Sequence, residues 1–309
     1  MSYKTQQYER AEKLIKTTNI FNGDKGCGFF RGKCYPFVLN DNNNNLYKKS
    51  KISICKYFST SKIAWWGGKL TNHTLSSQVS CLNHLYLIRD DKNIVLSIIQ
   101  NICPDIIDVL KITTDGNMSE YIQFEAVSDF DHLNEKYSTR CSNCTSLDAL
   151  IYGQHKDGRK ILFPIEWKYT ESYGNEDKAK GDIGLERKSR YTDLINQSKQ
   201  LKPGYHDIYY YEPFYQLMRQ TLWSEQMIVH KNTETIKADD YIHIHVIPSE
   251  NKEILNKKYK CSGKEMEEIW RECLEDQSKY IIVHPNELLA PITHMKYSDL
   301  IEYLKNRYW

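Results

Sequence analysis

Two apolar runs joined by a short polar segment constrain this chain more than any other feature. "SLDALIYG" (146–153) and "ILFPIEWKY" (161–169) flank "QHKDGRK", whose Asp157-Gly158 pair is a strong hairpin signal. Successive strand side chains point to opposite faces. Ile161, Phe163, Ile165, Trp167 and Tyr169 therefore make one apolar face, while Glu166 and Lys168 share the other. Pro164 has no amide donor and marks a bulge or edge near the start of the strand. Glu-x-Lys occurs four times, at 166/168, 176/178, 186/188 and 250/252, but only the first lies in a hydrophobic strand. Burying a carboxylate and an ammonium there is costly unless a metal or a paired charge compensates. Register decides whether a second carboxylate joins them. A three-residue loop, Lys156-Asp157-Gly158 with Gly158 left-handed, sets residue 148 opposite residue 166 and puts Asp148 on the face of Glu166. A two-residue turn pairs Asp148 with Trp167 instead and separates the two acids.

The rest of the chain reads as α/β (α+β), with a central mixed β-sheet flanked by helices. A helix is expected over 5–17, then turns and strands in "GCGFFRGKCYPFVLN", a solvated loop at "DNNNN" (41–45), and strand and loop over 51–68. "TLSSQVSCLNHLYLI" predicts a helix burying Val79, Leu82, Leu85 and Tyr86, capped by Ser76 or Thr74. A helix or strand pair covers 93–112. From 117 onward, Ile122, Ala126, Phe130, Leu133 and Tyr137 recur at helical spacing, although the first half also suits a strand. Helices follow at 185–201, burying Leu185, Tyr191, Leu194, Ile195 and Leu201, and at 213–228. The strand "YIHIHVI", a helix at 263–276, the strand "KYIIVH" and a final helix complete the chain. Residues 1–115 form an N-terminal elaboration packed on a core at 116–309 that includes a C-terminal extension.

The 309 residues carry a net charge of +2, which argues against an indiscriminate DNA coat protein. The polar N-terminus lacks a signal-peptide core, and the longest apolar stretch is too polar to span a bilayer, so a cytoplasmic protein is expected. Nine cysteines without framework spacing suit reduced thiols. Cys141 and Cys144 have Cys-x-x-Cys spacing but no second pair, so inert cysteines are expected before a zinc site. His243 and His245 alternate along their strand; a half-exposed face is expected before a metal pair. Trp65-Trp66 before Gly67-Gly68 is expected to pack internally before it stacks on a base.

Two carboxylates and a lysine on one wall can hold Mg²⁺ through oxygen ligands, and the lysine can orient water or stabilise charge on a phosphate. Asp148, eighteen residues before Glu166-Trp167-Lys168 on consecutive strands, resembles the PD-(D/E)XK nuclease superfamily. Within it the chain is similar to restriction-endonuclease-like bacterial proteins through "WWGG", "LSSQVSCLNHLYLI", "YEPFYQLMRQTLW" and "YLKNRYW". That likeness spans nearly the whole chain, with the nuclease motif between about 120 and 200. Leu147 stands where the superfamily nominally has proline. The resemblance implies a restriction-endonuclease-like core of helix, three strands, helix and strand. It implies a Mg²⁺-dependent (or Mn²⁺-dependent) endodeoxyribonuclease acting on DNA, with Asp148 and Glu166 on the metal and Lys168 supporting the nucleophile. A further carboxylate on the first core helix is assigned to Glu135 in preference to Glu125. Arg187, Lys188, Arg190 and Gln197 are candidate DNA contacts, as are Gln216 and Arg219. A homodimer is implied by double-strand cutting, and no small-molecule cofactor is expected. The competing readings are a non-cleaving DNA-binding protein on the same fold, a repair or mobile-element nuclease, and a sugar hydrolase with paired carboxylates.

Overall fold

The computed structural model describes residues 1–113, 119–136, 144–292 and 296–309. Helix α1 (Tyr3–Thr17) leads to a hairpin of β1 (Gly28–Phe30) and β2 (Lys33–Tyr35), then to helices α2 (Lys51–Thr60), α3 (Ser77–Leu85) and α4 (Lys92–Ile102). Strands β3 (Ile106–Val109), β4 (Ile112–Thr113), β5 (Ser119–Glu120), β6 (Ile122–Ala126), β7 (Leu147–His155) and β8 (Lys160–Trp167) follow. After α5 (Gly181–Gln197) and α6 (Phe214–Val229) come β9 (Asp240–Tyr241) and β10 (His243–Val246). Short helices α7 (Lys252–Leu255) and α8 (Met266–Glu272), strand β11 (Tyr280–Val283), α9 (Pro285–Leu288) and α10 (Ser298–Arg307) close the chain.

The central sheet is seven-stranded and mixed, ordered β11-β10-β8-β7-β3, with β6 also on β7 and β9 also on β8. Its pivot is the β7–β8 hairpin. The amide of His155 donates to the Arg159 carbonyl at 2.8 Å, and the amide of Gly158 donates to the His155 carbonyl at 2.9 Å. Gly158 has φ +92°, a conformation glycine adopts without a Cβ penalty. The loop is therefore Lys156-Asp157-Gly158, stiffened by the Asp157 carboxylate accepting from the Arg159 amide at 3.0 Å. Ala149 pairs with Ile165, so Asp148 stands opposite Glu166, as the longer loop requires.

The sheet separates two apolar layers. Ile161, Phe163, Ile165, Trp167 and Tyr169 join Tyr57, Val79, Leu82, Ile98 and Leu304 on one side. Leu150, Tyr152 and Leu162 join Tyr191, Leu217, Met218 and Trp270 on the other. Helices thus cover both faces of a mixed α/β sheet. Ser76 caps α3 by accepting from the Val79 amide at 3.3 Å, as its sequence indicates. No helix among the described residues is long and apolar enough to cross a membrane.

Several sequence expectations give way to longer-range packing. Residues 51–60 are helical, not strand. The helix expected from 117 is replaced by β5 and β6: Ile122, Gln123, Phe124 and Ala126 pair with β7, and sheet pairing overrides the helical spacing. Tyr137, the last residue of that spacing, lies outside the described residues, as does Cys141 of the zinc candidate. On α5 the buried face runs through Gly184, Tyr191 and Ile195, which leaves Leu185, a quarter-turn away, 65% exposed. Helix α5 also ends at Gln197, so Leu201 is buried beyond it, bridged to Leu274.

The asparagine run is likewise not a solvated connection. Asn42–Asn45 form a 3₁₀ turn, and Asn45 is fully buried. Its side chain donates to the carbonyls of Thr71 and His73 and accepts from Arg307, which also donates to the Asn45 carbonyl at 2.6 Å. This guanidinium, buried near the end of α10, ties the C-terminus to the N-terminal half; Tyr303 accepts another of its protons at 2.6 Å. Arg307→Ala is expected to lower the free energy of unfolding by about 3 kcal/mol, because Asn45 loses its buried donor. Urea denaturation checks this; an unchanged midpoint contradicts the clamp.

Candidate active site

The register that sets Asp148 opposite Glu166 also builds a polar row across four strands. In the β6–β7 ladder Phe124 pairs with Ala149 and Ala126 with Leu147, which leaves Glu125 at the position facing Asp148. On the other side of β8, Glu166 pairs in parallel register with His245 of β10. The row reads Glu125, Asp148, Glu166, His245. Glu125 holds a left-handed backbone, φ +48°, at the point where the ladder skips a pair. Such a conformation is uncommon for a residue with a Cβ and costs on the order of 1–3 kcal/mol.

These acids open on a cleft of about 670 Å³ whose wall includes Glu125, Asp148, Glu166, Lys168, Gln216 and Gln220. Glu166 and Lys168 are both buried and form an ion pair. Gln220 of α6 donates to the second Glu166 oxygen, and Gln216, one turn earlier, accepts from the Lys168 ammonium at 2.5 Å. The Asp148 carboxylate accepts from the Trp167 amide at 2.7 Å. Glu125 accepts from Gln78 of α3 at 2.6 Å and from Ser146 at 3.2 Å.

Electrostatics separate the roles. Burial, then the charges of Glu166 and Glu125, push the Asp148 carboxyl well above the ordinary aspartate range. Burial opposes the charge on Lys168, but its charged neighbours, led by Glu166, outweigh it and hold its pKa well above the usual lysine value. Lys168 is therefore an ammonium that donates and does not serve as a base. Three acids in the row face one ammonium, that of Lys168, so a divalent cation would lessen their repulsion. Among the described residues no three His, Cys, Asp or Glu side chains close into a ready-made metal cage. Mg²⁺ needs none, since it keeps several waters and takes one or two carboxylates with substrate phosphate oxygens. The hard oxygens of Asp148 and Glu166, with Glu125 beside them, fit that ion.

The structure brings together Asp148, Glu166, Lys168, Glu125, Gln216 and Arg219, all on the cleft wall. It does not bring Glu135 there. That residue sits in an irregular segment and is buried, where its carboxylate accepts from the Thr145 amide, the Thr145 hydroxyl at 2.7 Å, the Tyr191 hydroxyl at 2.6 Å and Arg219 at 2.9 Å. Glu125, and not Glu135, stands on the cleft wall, and no helix carries Glu135. Gln216 and Arg219 reach the cleft committed to Lys168 and Glu135, so they hold protein groups before any DNA. Arg187, Lys188, Arg190 and Gln197 of α5 are not on the cleft wall; Arg187 donates to the Lys178 carbonyl at 3.1 Å and lies over Tyr215.

His243 and His245 are buried, not half-exposed. Burial pushes His243 down to about 4 and His245 well below its ordinary range, so both are neutral, and His245 shares a 2.8 Å hydrogen bond with the Tyr280 hydroxyl. Sequence reasoning missed Gln78 and Gln220. Gln78 had no local sign: it stands in the first turn of a helix that buries every residue from Val79 to Leu85, polar ones included.

The family model described as "Restriction Endonuclease associating with ARP" matches residues 8–309. No curated protein and no solved structure gives a match.

Asp148 carries a testable consequence. A carboxyl raised in the fold contributes stability that is present below its unfolded pKa and lost as pH rises through the folded one. Asp148→Asn removes that loss. The metal-free variant is expected to melt above the wild type at pH 8, with the gap closing toward pH 4. Added Mg²⁺ should raise the wild-type melting temperature and leave that of the variant nearly unchanged. A variant that melts below the wild type at pH 8 contradicts the repulsion.

Proposed function

The chain belongs to the family of restriction endonucleases associating with ARP, and on that footing we propose that it hydrolyses DNA phosphodiester bonds as a divalent-metal-dependent endonuclease of PD-(D/E)XK type. Family membership supports a nuclease role. The observation that carries the finer reading is the row Glu125–Asp148–Glu166 with the Lys168 ammonium beside it on one open wall.

In this reading Asp148 and Glu166 hold Mg²⁺, or Mn²⁺ in its place, and Glu125 adds a third negative group. An ion held there would supply Lewis-acid polarisation of a phosphodiester and acidify water. Lys168 donates toward the charge that builds on the phosphate oxygens, and its protonated state suits it to that task. Gln220 fixes one oxygen of Glu166, and Gln216 fixes the lysine, so both side chains meet the substrate in one orientation. The Trp167 amide of β8 orients Asp148 across the strand pair. DNA is the substrate, restriction is the role favoured by the family, and a homodimer matches the two-fold symmetry of duplex sites. The family's description makes association with ARP part of the same reading.

Incubating supercoiled and linear DNA with Mg²⁺, beside Asp148→Ala and Lys168→Ala variants, tests the proposal. Metal-dependent cleavage is expected in the wild type, with at least a hundredfold loss in each variant. DNA that binds without being cut in any divalent metal would favour the non-cleaving alternative.

A further inference from the structure

Two turn tips meet at the rim of the acidic cleft. One is the β1–β2 hairpin, whose tip residues Arg31 and Gly32 have φ +49° and +79°. The other is Trp65-Trp66-Gly67-Gly68, closed by the Gly68 amide donating to the Trp65 carbonyl at 2.8 Å, with both glycines left-handed. The adjacent tryptophans have opposite fates. Trp65 is half-buried, stacks on Phe58 at 3.8 Å and 11°, and packs against the core. Trp66 is 67% exposed and lines the cleft together with Phe30, Arg31 and Lys4. The Arg31 guanidinium lies 6.0 Å from the Trp66 ring and 5.4 Å from the Phe30 ring.

A single exposed aromatic is ordinary on a protein surface. Three observations set this one apart. It shares a cavity with Asp148, Glu166 and Lys168. It stands among cations: His73, on the same wall, is pushed down to about 4 by burial and then by Lys4 and Arg31. One side chain also joins it to the acids, because the Gln78 oxygen accepts from the Trp66 amide at 3.3 Å while the Gln78 nitrogen donates to Glu125.

We propose that Trp66, flanked by Arg31, is a stacking platform for an unpaired DNA base, which makes DNA with an unstacked nucleotide near the scissile phosphate the preferred substrate of this cleft. A free indole face accepts a base of any identity, and the neighbouring cations attract the backbone on either side of it. Within a continuous duplex both faces of every base are covered by neighbours, so the platform gains nothing there. Gln78 ties the backbone of Trp66 to Glu125, which keeps the turn that carries the platform on the same cleft as the acidic row. This inference rests on the nuclease reading.

The test measures binding by fluorescence anisotropy with the full-length chain carrying Asp148→Asn, so that bound DNA is not consumed. Three oligonucleotides of one sequence are compared: single-stranded, duplex with one bulged base, and fully paired duplex. The parent is expected to bind the first two more tightly than the third. Adding Trp66→Ala should weaken binding of those two by about tenfold and leave the paired duplex within about twofold, while Trp66→Phe retains most of the affinity. A 2-aminopurine at the bulge should be quenched by the parent and not by the Trp66→Ala variant. Equal affinities across all three DNAs, or a Trp66→Ala variant that binds like its parent, overturns the platform while leaving the nuclease reading intact. A parent that binds no DNA overturns both.

Discussion

The β7–β8 register is the constraint on which the site depends. Strand side chains alternate with a period of two, so a shift of one residue would turn Asp148 away from Glu166 and toward the layer under α3 and α4. What holds the register is local: a left-handed glycine, the Asp157 carboxylate on the Arg159 amide, and the pairing that runs from Ala149–Ile165 to Gln154–Lys160. Because β6 and β10 pair with the same two strands, the one register also places Glu125 and His245 in the row.

The acids so assembled oppose the fold that carries them. Burial, then Glu166 and Glu125, make Asp148 resist ionising, Glu125 holds an unfavourable backbone, and the Glu166–Lys168 pair lies out of water. Two glutamines from α6 hold that pair in place, and Gln78 from α3 holds Glu125. Breaking a buried pair by removing one partner costs several kcal/mol, so these amides act on the orientation of charges that cannot leave. The buried pair is thus held by side chains from α6, and the backbone is strained at Glu125.

How much of this was legible follows the range of the interaction. The hairpin and the alternating faces of 161–169 rest on neighbours in sequence, while the sequence left the loop at two or three residues and the α3 cap at Ser76 or Thr74. The helix expected from 117 failed because β6 is made by pairing with a strand about 25 residues later, and nothing within 122–133 distinguishes that from helical spacing. With the helix went the reason to prefer Glu135, which the structure uses as an anchor for Thr145, Tyr191 and Arg219. Asn45 reads as part of a polar run, yet Arg307, 262 residues away, buries it. Gln78, Gln216 and Gln220 reach the site across helix–sheet layers, and no local pattern marks a glutamine for that. The opposite fates of Trp65 and Trp66 turn on one backbone turn at two glycines.

Asp148 and Glu166 are proposed to share one divalent cation. Diffraction at the manganese absorption edge, from crystals grown with Mn²⁺, tests it most directly. The account predicts one strong anomalous peak within ligand distance of both Asp148 and Glu166. A peak held elsewhere, with the Glu166–Lys168 pair intact and Asp148 empty, would contradict it.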